Sequence, residues 1–404
     1  MSKIKNCRVC GGKDFYNVLD MGMNPLVNSL IEEEDLDKQE PVYELLTERC
    51  QDCGLVQITN PIDTHTIYRD VDYLYFSSDM PNLKEYFLEY ADDIKKRFLK
   101  EDDFVVEIGS NDGLMLGMFK FYYKVLGVDP ASNTVVRALA NGTPTLSDGF
   151  SQRIAKSIKR EFGQAKVIYG NNCIAHIDDI HSLMKGVKEL LTDDGVFIVE
   201  CNYWGGMVDN KNYSLVYHDH FSYFSVQDWC NIGDMYGLNV FDAIVTPAQG
   251  GSLRIFMGKN IDATERCQEL YKREKETNLN SNEICEKYSD DCNEEALALH
   301  NLISKLKKEG ATIAGYGAAA KGFSILKLAG IDERHIDYFV DDSPAKQGKY
   351  TPVSHIPVIS REKAEKILPD YFFITAPNYR SVIVEKEKQL GYKGKFITDK
   401  CEII

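Results

Sequence analysis

Phe104-Val105-Val106-Glu107-Ile108-Gly109-Ser110-Asn111-Asp112-Gly113 is the stretch that decides the fold. Phe104 to Ile108 is a short apolar strand with a carboxylate inside it, and the glycines that follow break it. Glycine at a strand-to-helix turn lets a ligand approach the backbone closely. Leu114 to Phe121 then reads as a packed helix. A second strand, Tyr123 to Asp129, ends in an acid about 20 residues past the turn, where it can take ribose hydroxyls. A third, Ala165 to Tyr169, runs into Asn171-Asn172, and a fourth, Gly195 to Glu200, follows a helix closing at Leu190-Leu191-Thr192-Asp193-Asp194-Gly195. Strands alternating with helices predict an open α/β sheet with its ligand at the strands' carboxyl ends.

The spacing of the glycines bears on the cofactor. E-x-G-x-x-x-G lacks the three glycines of a dinucleotide turn, and its acid lies inside the strand. The pattern is similar to the first motif of class I S-adenosylmethionine methyltransferases, and Leu190 to Gly195 looks like their late LL-x-x-x-G turn. On that likeness Glu107, Gly109, Asn111, Gly113, Asp129, Asn171 and Asn172 are the expected cofactor-binding residues.

Ahead of this domain stand two cysteine pairs, Cys7-Arg8-Val9-Cys10 and Cys50-Gln51-Asp52-Cys53. A C-x2-C turn lets two thiolates reach one ion, and two such turns supply the tetrahedral sulfur set that Zn²⁺ favours. Gly11-Gly12 and Gly54 trail the pairs, where a knuckle needs a residue tolerant of positive φ. Four sulfurs leave no coordination position for water, so the expected zinc is structural. The long segment between Cys10 and Cys50 must loop out of the metal site.

Composition narrows the class. A chain of 404 residues is too long for one ordinary core, so two or three domains are expected. Its formal charge of −15, from 47 basic and 62 acidic residues, argues against nucleic acid or a membrane surface as partner. No stretch approaches the roughly 18 apolar residues of a membrane span, and MSKIKNCRVCGG lacks the apolar core of a signal peptide. Eleven scattered cysteines fit a reducing compartment, so a cytoplasmic location without disulfides is expected.

The densest set of titratable groups is Tyr217-His218-Asp219-His220-Phe221-Ser222-Tyr223. If extended, it places Tyr217, Asp219 and Tyr223 on one face and both histidines on the other. Histidine is the side chain best poised for proton transfer near neutral pH. His176 follows the third strand and faces the same cleft, and a second aromatic run, Tyr73-Leu74-Tyr75-Phe76, precedes the first helix. Metal ligation by His218 and His220 lacks an obvious third ligand.

Downstream, Ile261 to Leu306 reads as long exposed helices linking domains. Thr312 to Gly317 is a strand into a glycine turn, and Ala318 to Leu328 is helical. His335 to Val340 and Tyr371 to Thr375 complete a second small α/β sheet. Gly315-x-Gly317 taken alone is compatible with a dinucleotide, whereas Lys321 beside a helix N-terminus suits a pyrophosphate.

The joint order of Cys7 to Cys53, Glu107 to Gly113, Asn172-x-x-Ala175-His176, Tyr217-His218-x-His220, Gly250-Gly251-Ser252-Leu253-Arg254 and Gly315-Tyr316-Gly317-Ala318-Ala319-Ala320-Lys321-Gly322 resembles the sugar C-methyltransferases acting on nucleotide-linked keto-deoxysugars. The resemblance spans essentially the whole chain. It implies a zinc-binding domain (1–68), a central methyltransferase domain (69–259) and a C-terminal Rossmann-like domain with linking helices (260–404). It also implies methylation of the sugar carbon next to a ketone. Separately, a monomer or homodimer is expected. By position, His220 matches the family's general base, oriented by Asp219 or a neighbouring acid, and Tyr217, His176 and Tyr75 match residues lining the reacting sugar. Arg254, Gly315, Gly317 and Lys321 are expected on the sugar-nucleotide side. Two residues depart from the pattern: Asp219 stands where the family has glutamate, and Gln249 where it has histidine. Two rival readings are an O- or N-methyltransferase, which needs no enolate-stabilising set, and a non-catalytic zinc-knuckle binding protein.

Overall fold

The computed structural model describes residues 3–63, 66–67, 73, 75–80 and 82–404. The expected boundary at 68/69 lies outside the described residues. The N-terminal strands are β1 (Phe15–Asn24), β2 (Tyr43–Cys50) and β3 (Val56–Ile58). The central strands are β4 (Phe104–Ile108), β5 (Lys124–Asp129), β6 (Thr145–Ser147), β7 (Ala165–Asn171), β8 (Leu191–Asn202), β9 (Ser222–Tyr223), β10 (Asn239–Thr246) and β11 (Ser252–Gly258). The C-terminal strands are β12 (Ile313–Tyr316), β13 (Phe339–Val340), β14 (Val358–Ile359), β15 (Tyr371–Ile374) and β16 (Lys395–Ile397).

The central sheet runs β10-β11-β8-β7-β4-β5-β6, with β10 and β11 antiparallel to their neighbours and the remaining strands parallel. A parallel strand is covered on both faces, so it needs an uninterrupted apolar run, and every residue of β4 is buried. The chain steps outward from β4 to β5 and β6, then returns to β7 on the other side of β4. That reversal opens a crevice above the carboxyl ends of β4 and β7, where ligands bind in open α/β sheets. The helix Leu83–Phe98 covers one face, burying Phe87, Tyr90, Ala91 and Ile94 at helical spacing.

Two local expectations are corrected. Leu114 to Phe121 holds only a short 3-10 turn, Leu116–Met118, where Met118 N and Phe119 N donate three residues back, and β5 begins soon after. The turn expected at Leu190 to Gly195 is instead a bulge inside β8. Pairing jumps from Ala165 opposite Leu191 to Val167 opposite Val196.

The N-terminal sheet is β1-β2-β3-β9, antiparallel throughout. The segment between the cysteine pairs is therefore largely the β1–β2 hairpin. Its fourth strand, β9, comes from the polar run that begins at Tyr217, so the cysteine domain grips that run directly. The C-terminal sheet is parallel, in the order β14-β13-β12-β15-β16. The helix Asn282–Lys308 is not simply an exposed link. It buries Cys285, Tyr288, Cys292, Ala296, Leu299, Ile303 and Leu306 in a core shared with Val18, Leu45, Ile325 and Phe339. One apolar stripe thus joins the first and third sheets. Among the described residues no helix is long and apolar enough to cross a membrane.

Candidate active site

At the head of β4, Gly109 has φ +64° and a β-carbon there would lie 2.5 Å from that of Cys173. Gly113 has φ +76°, and a β-carbon would lie 2.9 Å from Thr143. Both glycines are demanded by the turn itself, which holds the crevice open. Asp129, at the end of β5, accepts from the backbone N–H of Asn111 (2.8 Å) and Ala131 (2.9 Å) and from Thr134 Oγ1 (3.0 Å). A carboxylate offers about four lone-pair positions, so capacity remains for a ribose hydroxyl. Burial raises the Asp129 pKa, and these three bonds oppose that shift.

The other expected cofactor residues are distributed around this turn. Glu107 is enclosed within β4, where burial pushes its carboxyl well above the usual range. Asn111 directs its side chain to the preceding segment, accepting from Ser77 N (2.9 Å) and donating to the Tyr75 carbonyl (3.0 Å). Asn171 donates to Met115 Sδ at 3.0 Å. Asn172, with φ +50°, donates its backbone N–H to Glu200 O and accepts from Ser252 Oγ at 3.4 Å.

Replacing Asp129 with alanine should weaken S-adenosylmethionine binding at least tenfold. One charge-assisted acceptor is worth roughly 1.5–3 kcal/mol, and the anchor of Asn111 is lost with it. Calorimetry on a variant of unchanged melting temperature checks this, and an unchanged dissociation constant would remove Asp129 from the site.

The polar run is a turn, contrary to the extended reading, because His220 N donates to Tyr217 O at 3.0 Å. The alternation of faces is thereby lost. Tyr217 stacks on His220 with ring centroids 4.1 Å apart, and the His176 ring lies 4.9 Å from His220 on another side. His218 leaves this group and packs 6.0 Å from Tyr43 in the N-terminal domain, where burial lowers its pKa to about 4. Among the described residues only the four cysteines form a group that could hold a metal, and neither His218 nor His220 belongs to one.

The structure pairs His220 with Leu215, where Asp219 or a neighbouring acid was expected to orient it. His220 Nδ1 lies 2.6 Å from the Leu215 carbonyl oxygen, which can only accept. Nδ1 therefore carries the proton and Nε2 keeps its lone pair. The Asn202 carboxamide nitrogen is 3.0 Å from the same atom, and turning that amide over would offer a second acceptor. Burial, reinforced by the neighbouring His176, holds the His220 pKa well below the usual histidine range. Asp219 is buried nearby, with its pKa pushed up to about 7. Burial lowers that of His176 to about 4, and burial together with Asp219 raises that of Tyr217.

Tyr75 joins the group through its hydroxyl, which accepts from Gln249 Nε2 at 3.4 Å. Gln249 adopts φ +52° and meets three partners. Its side chain reaches Tyr75 and also accepts from Asn378 at 3.4 Å, and its carbonyl accepts from Lys321 Nζ at 2.5 Å. This residue was legible only as a departure from a pattern, and its bridging role comes from the fold.

Three residues expected on the substrate side have partners within the protein. Arg254 is buried and committed to Glu200 (2.8 Å) and the Tyr86 hydroxyl (2.7 Å), with its guanidinium stacked over Tyr90. Gly315 serves packing, since a β-carbon there would lie 2.3 Å from the Phe339 ring. Gly317, with φ +95°, lies against Ala376, and the N–H of the next residue, Ala318, donates to Asp341 Oδ2 at 2.8 Å. A carboxylate of the protein thus occupies the turn where a phosphate was expected.

The cysteine pairs form matching knuckles. Cys7 N donates to Gly12 O and Gly11 N to Cys7 O, while Cys50 N donates to Leu55 O and Gly54 N to Cys50 O. Gly11 and Gly54 take φ +75° and +89°. The four sulfurs lie within 4.8 Å of one another, with Cys7–Cys53 at 3.6 Å and Cys10–Cys50 at 3.5 Å. A tetrahedron with Zn–S of about 2.3 Å has edges of about 3.8 Å, so the set fits zinc. Gln57 Nε2 (3.2 Å) and Gly12 N (3.3 Å) donate to Cys7 and Cys10 sulfur, as outer-shell groups do for thiolates.

Arg8, inside the first knuckle, reaches the active-site segments, a link no spacing rule reveals. Its Nε donates to Asp178 at 2.6 Å, and its guanidinium lies 5.4 Å from the Phe221 ring. Those residues follow His176 and His220 closely, and Phe221 N donates to Ala175 O at 2.8 Å. The cysteine domain therefore braces both histidine segments.

Three family models match the chain: a candidate zinc binding domain over residues 7–68, a methyltransferase domain over 83–243 and a C-methyltransferase C-terminal domain over 247–399. The C-methyltransferase NovU of Streptomyces niveus is 32% identical over 400 residues, spanning 98% of this chain and 95% of that protein. Magnesium protoporphyrin IX methyltransferase (ChlM) of Synechocystis PCC 6803, solved with bound SAH, covers 44% of this chain and 83% of its own at 11% identity and a TM-score of 0.35. An S-adenosylmethionine-dependent methyltransferase of Clostridium acetobutylicum covers 45% and 93% at 12% identity and a TM-score of 0.34. Those two likenesses are too distant to bear on the chemistry here. The nearly full-length relative and the three matched spans, in the order the cysteine knuckles and two α/β sheets require, are decisive: the chain belongs to the C-methyltransferase family, enzymes that depend on S-adenosylmethionine.

Proposed function

We propose that this enzyme methylates the carbon next to a ketone in a nucleotide-linked keto-deoxysugar, by way of an enolate. The reading is carried by His220, a neutral imidazole with its free nitrogen unprotonated, enclosed by Tyr217 and His176. An oxygen or nitrogen acceptor would need a base but no such ring of donors. We assign three units, 1–68, 69–259 and 260–404, with the sugar nucleotide between the second and third. A cytoplasmic monomer or homodimer is in keeping with eleven unpaired cysteines.

His220 Nε2 takes the proton from the α-carbon, and the C–H electron pair becomes the C=C bond as the carbonyl pair moves onto oxygen. Tyr217 and His176 face the developing oxyanion, the charge whose stabilisation matters most in such reactions. When bound, S-adenosylmethionine supplies an electrophilic methyl group whose bond to sulfur breaks with the electron pair leaving on sulfur. Asp129 and the Gly109–Gly113 turn would hold it, and Tyr75, fixed through Asn111 and Gln249, would close the side facing the sugar. His220 returns its proton to water after the ketone re-forms. Cys7, Cys10, Cys50 and Cys53 would hold one zinc ion, which supports the fold and takes no part in the chemistry.

The test is a panel of 4-keto-6-deoxyhexoses carried on thymidine, uridine or guanosine diphosphate. At least one should raise the melting temperature, since a ligand bound only by the native state stabilises it. That member should gain a methyl group on carbon, seen by NMR. Methylation at oxygen or nitrogen would overturn the reading.

A further inference from the structure

We infer that Lys321, delivered by the C-terminal domain, donates a hydrogen bond to the enolate oxygen of the reacting sugar and is a catalytic residue of this enzyme. The inference rests on the enolate reading above and departs from the expected contact of this lysine with a pyrophosphate.

Geometry carries it. Lys321 lies in the first turn of the helix Ala320–Ala329, and Ser324, three residues on, shares its face. Ser324 Oγ donates to Val216 O at 2.8 Å, so this face of the helix rests on the segment leading into Tyr217 and His220. Lys321 Nζ then reaches across to the Gln249 carbonyl at 2.5 Å, and Gln249 in turn touches Tyr75. The amine is thereby held by Gln249, which itself touches Tyr75, and lies near enough for its charge to act on the His220 ring.

The glycine turn beside it is an unsuitable seat for a diphosphate, because Asp341 already fills its N–H and brings negative charge. Lys346 donates to the Ala318 carbonyl at 2.8 Å and to Asp341 at 3.3 Å, completing that closure. Arg254, the other cation of the matched motifs, is engaged by Glu200. Lys321 therefore stands as the cation beside the base. An ammonium has three donors, and one is committed to Gln249, which leaves two for a ligand.

The chemistry requires such a group. An α-proton leaves to His220 while the carbonyl oxygen, bonded to the neighbouring carbon, gains the electron pair. The oxyanion must therefore form within a few ångströms of the base. A hydrogen bond from a cation is roughly twice as strong as one from a neutral donor. Burial pushes the Lys321 pKa down to about 7, so its proton is loosely held and readily shared with a basic oxyanion. No covalent bond to the lysine forms, and when the ketone is restored the ammonium keeps its proton.

The experiment uses the full-length enzyme, the panel member that turns over and S-adenosylhomocysteine in place of the methyl donor. Wild type should exchange solvent deuterium into the carbon beside the ketone. Lys321→Met should lower that exchange about 100-fold, the usual effect of removing one oxyanion donor. Its kcat should fall by the same factor, while KM for the sugar nucleotide moves less than about threefold. Lys321→Arg should recover part of the loss, and Lys321→Gln, which can still donate to Gln249, replaces the methionine variant if that fails to fold. Wild-type exchange rates in Lys321→Met, with weakened sugar-nucleotide binding, would make Lys321 a phosphate clamp and overturn the assignment alone. Borohydride trapping of the sugar on Lys321 would also overturn it, in favour of an imine. If the wild type itself exchanges no deuterium, the enolate reading fails and this assignment falls with it.

Discussion

His220→Ala should bind both ligands, keep its melting temperature and turn over about 10²–10⁴ times more slowly than wild type, the range lost with a general base. Solvent deuterium exchange into the sugar, with S-adenosylhomocysteine bound, should vanish in parallel. The Leu215 carbonyl fixes Nδ1–H, so the lone pair of Nε2 is the group available for proton removal. Burial keeps this imidazole neutral at working pH. A base with so low a pKa is weak in the empty site. On the proposed mechanism it becomes effective because imidazolium and oxyanion would form together, and in a low-dielectric site each charge stabilises the other. As pH falls, activity should persist below the ordinary histidine range, since the lowered pKa delays protonation of the base. If His220→Ala exchanges deuterium at the wild-type rate, the proton goes elsewhere and His176 or Tyr217 is the base. Loss of ligand binding in the variant would instead assign His220 a structural role.

Cys50→Ser should yield aggregated or strongly destabilised protein, and purified wild type should carry one zinc per chain. Structural zinc contributes about 10–16 kcal/mol in small zinc-finger peptides, comparable to the whole stability of a typical domain, about 5–15 kcal/mol. The cysteine domain is not an appendage whose loss would be local. Cys7, Val9, Cys50 and Leu55 belong to the same apolar core as β4 and β8 residues such as Val106 and Phe197. Arg8 ties the first knuckle to Asp178 and Phe221, and β3 pairs with β9 directly after His220. Any soluble Cys50→Ser fraction should therefore lose deuterium exchange along with stability, although the proposed zinc would touch no reacting atom. Metal analysis showing no zinc, or a zinc-free form with full activity, would refute the assignment.

What could be read from the chain alone is local. The strand Phe104–Ile108 coincides with β4, since a strand covered on both faces needs a continuous apolar run. The cysteine knuckles were equally legible, because each closes its hydrogen bonds within six residues and marks the turn with glycine. The distance of Asp129 past the glycine turn marked an acid at a strand end, and the structure places it there as the acceptor for Asn111 N. The errors arose where a local rule met a tertiary demand. The run expected to be helical from Leu114 closes only one 3-10 turn before β5, and the run from Tyr217 turns where alternation predicts an extended strand. Only the folded chain joins Arg8 to Asp178, Lys321 to Gln249, Arg254 to Glu200 and His220 to Leu215. Amino-acid pattern reports which backbone state and degree of burial each segment favours, and so determined the cofactor sheet and the metal knuckles. Which side chain of one segment meets which of another depends on strand order, helix docking and the grip of β3 on β9, and those decided the surroundings of His220.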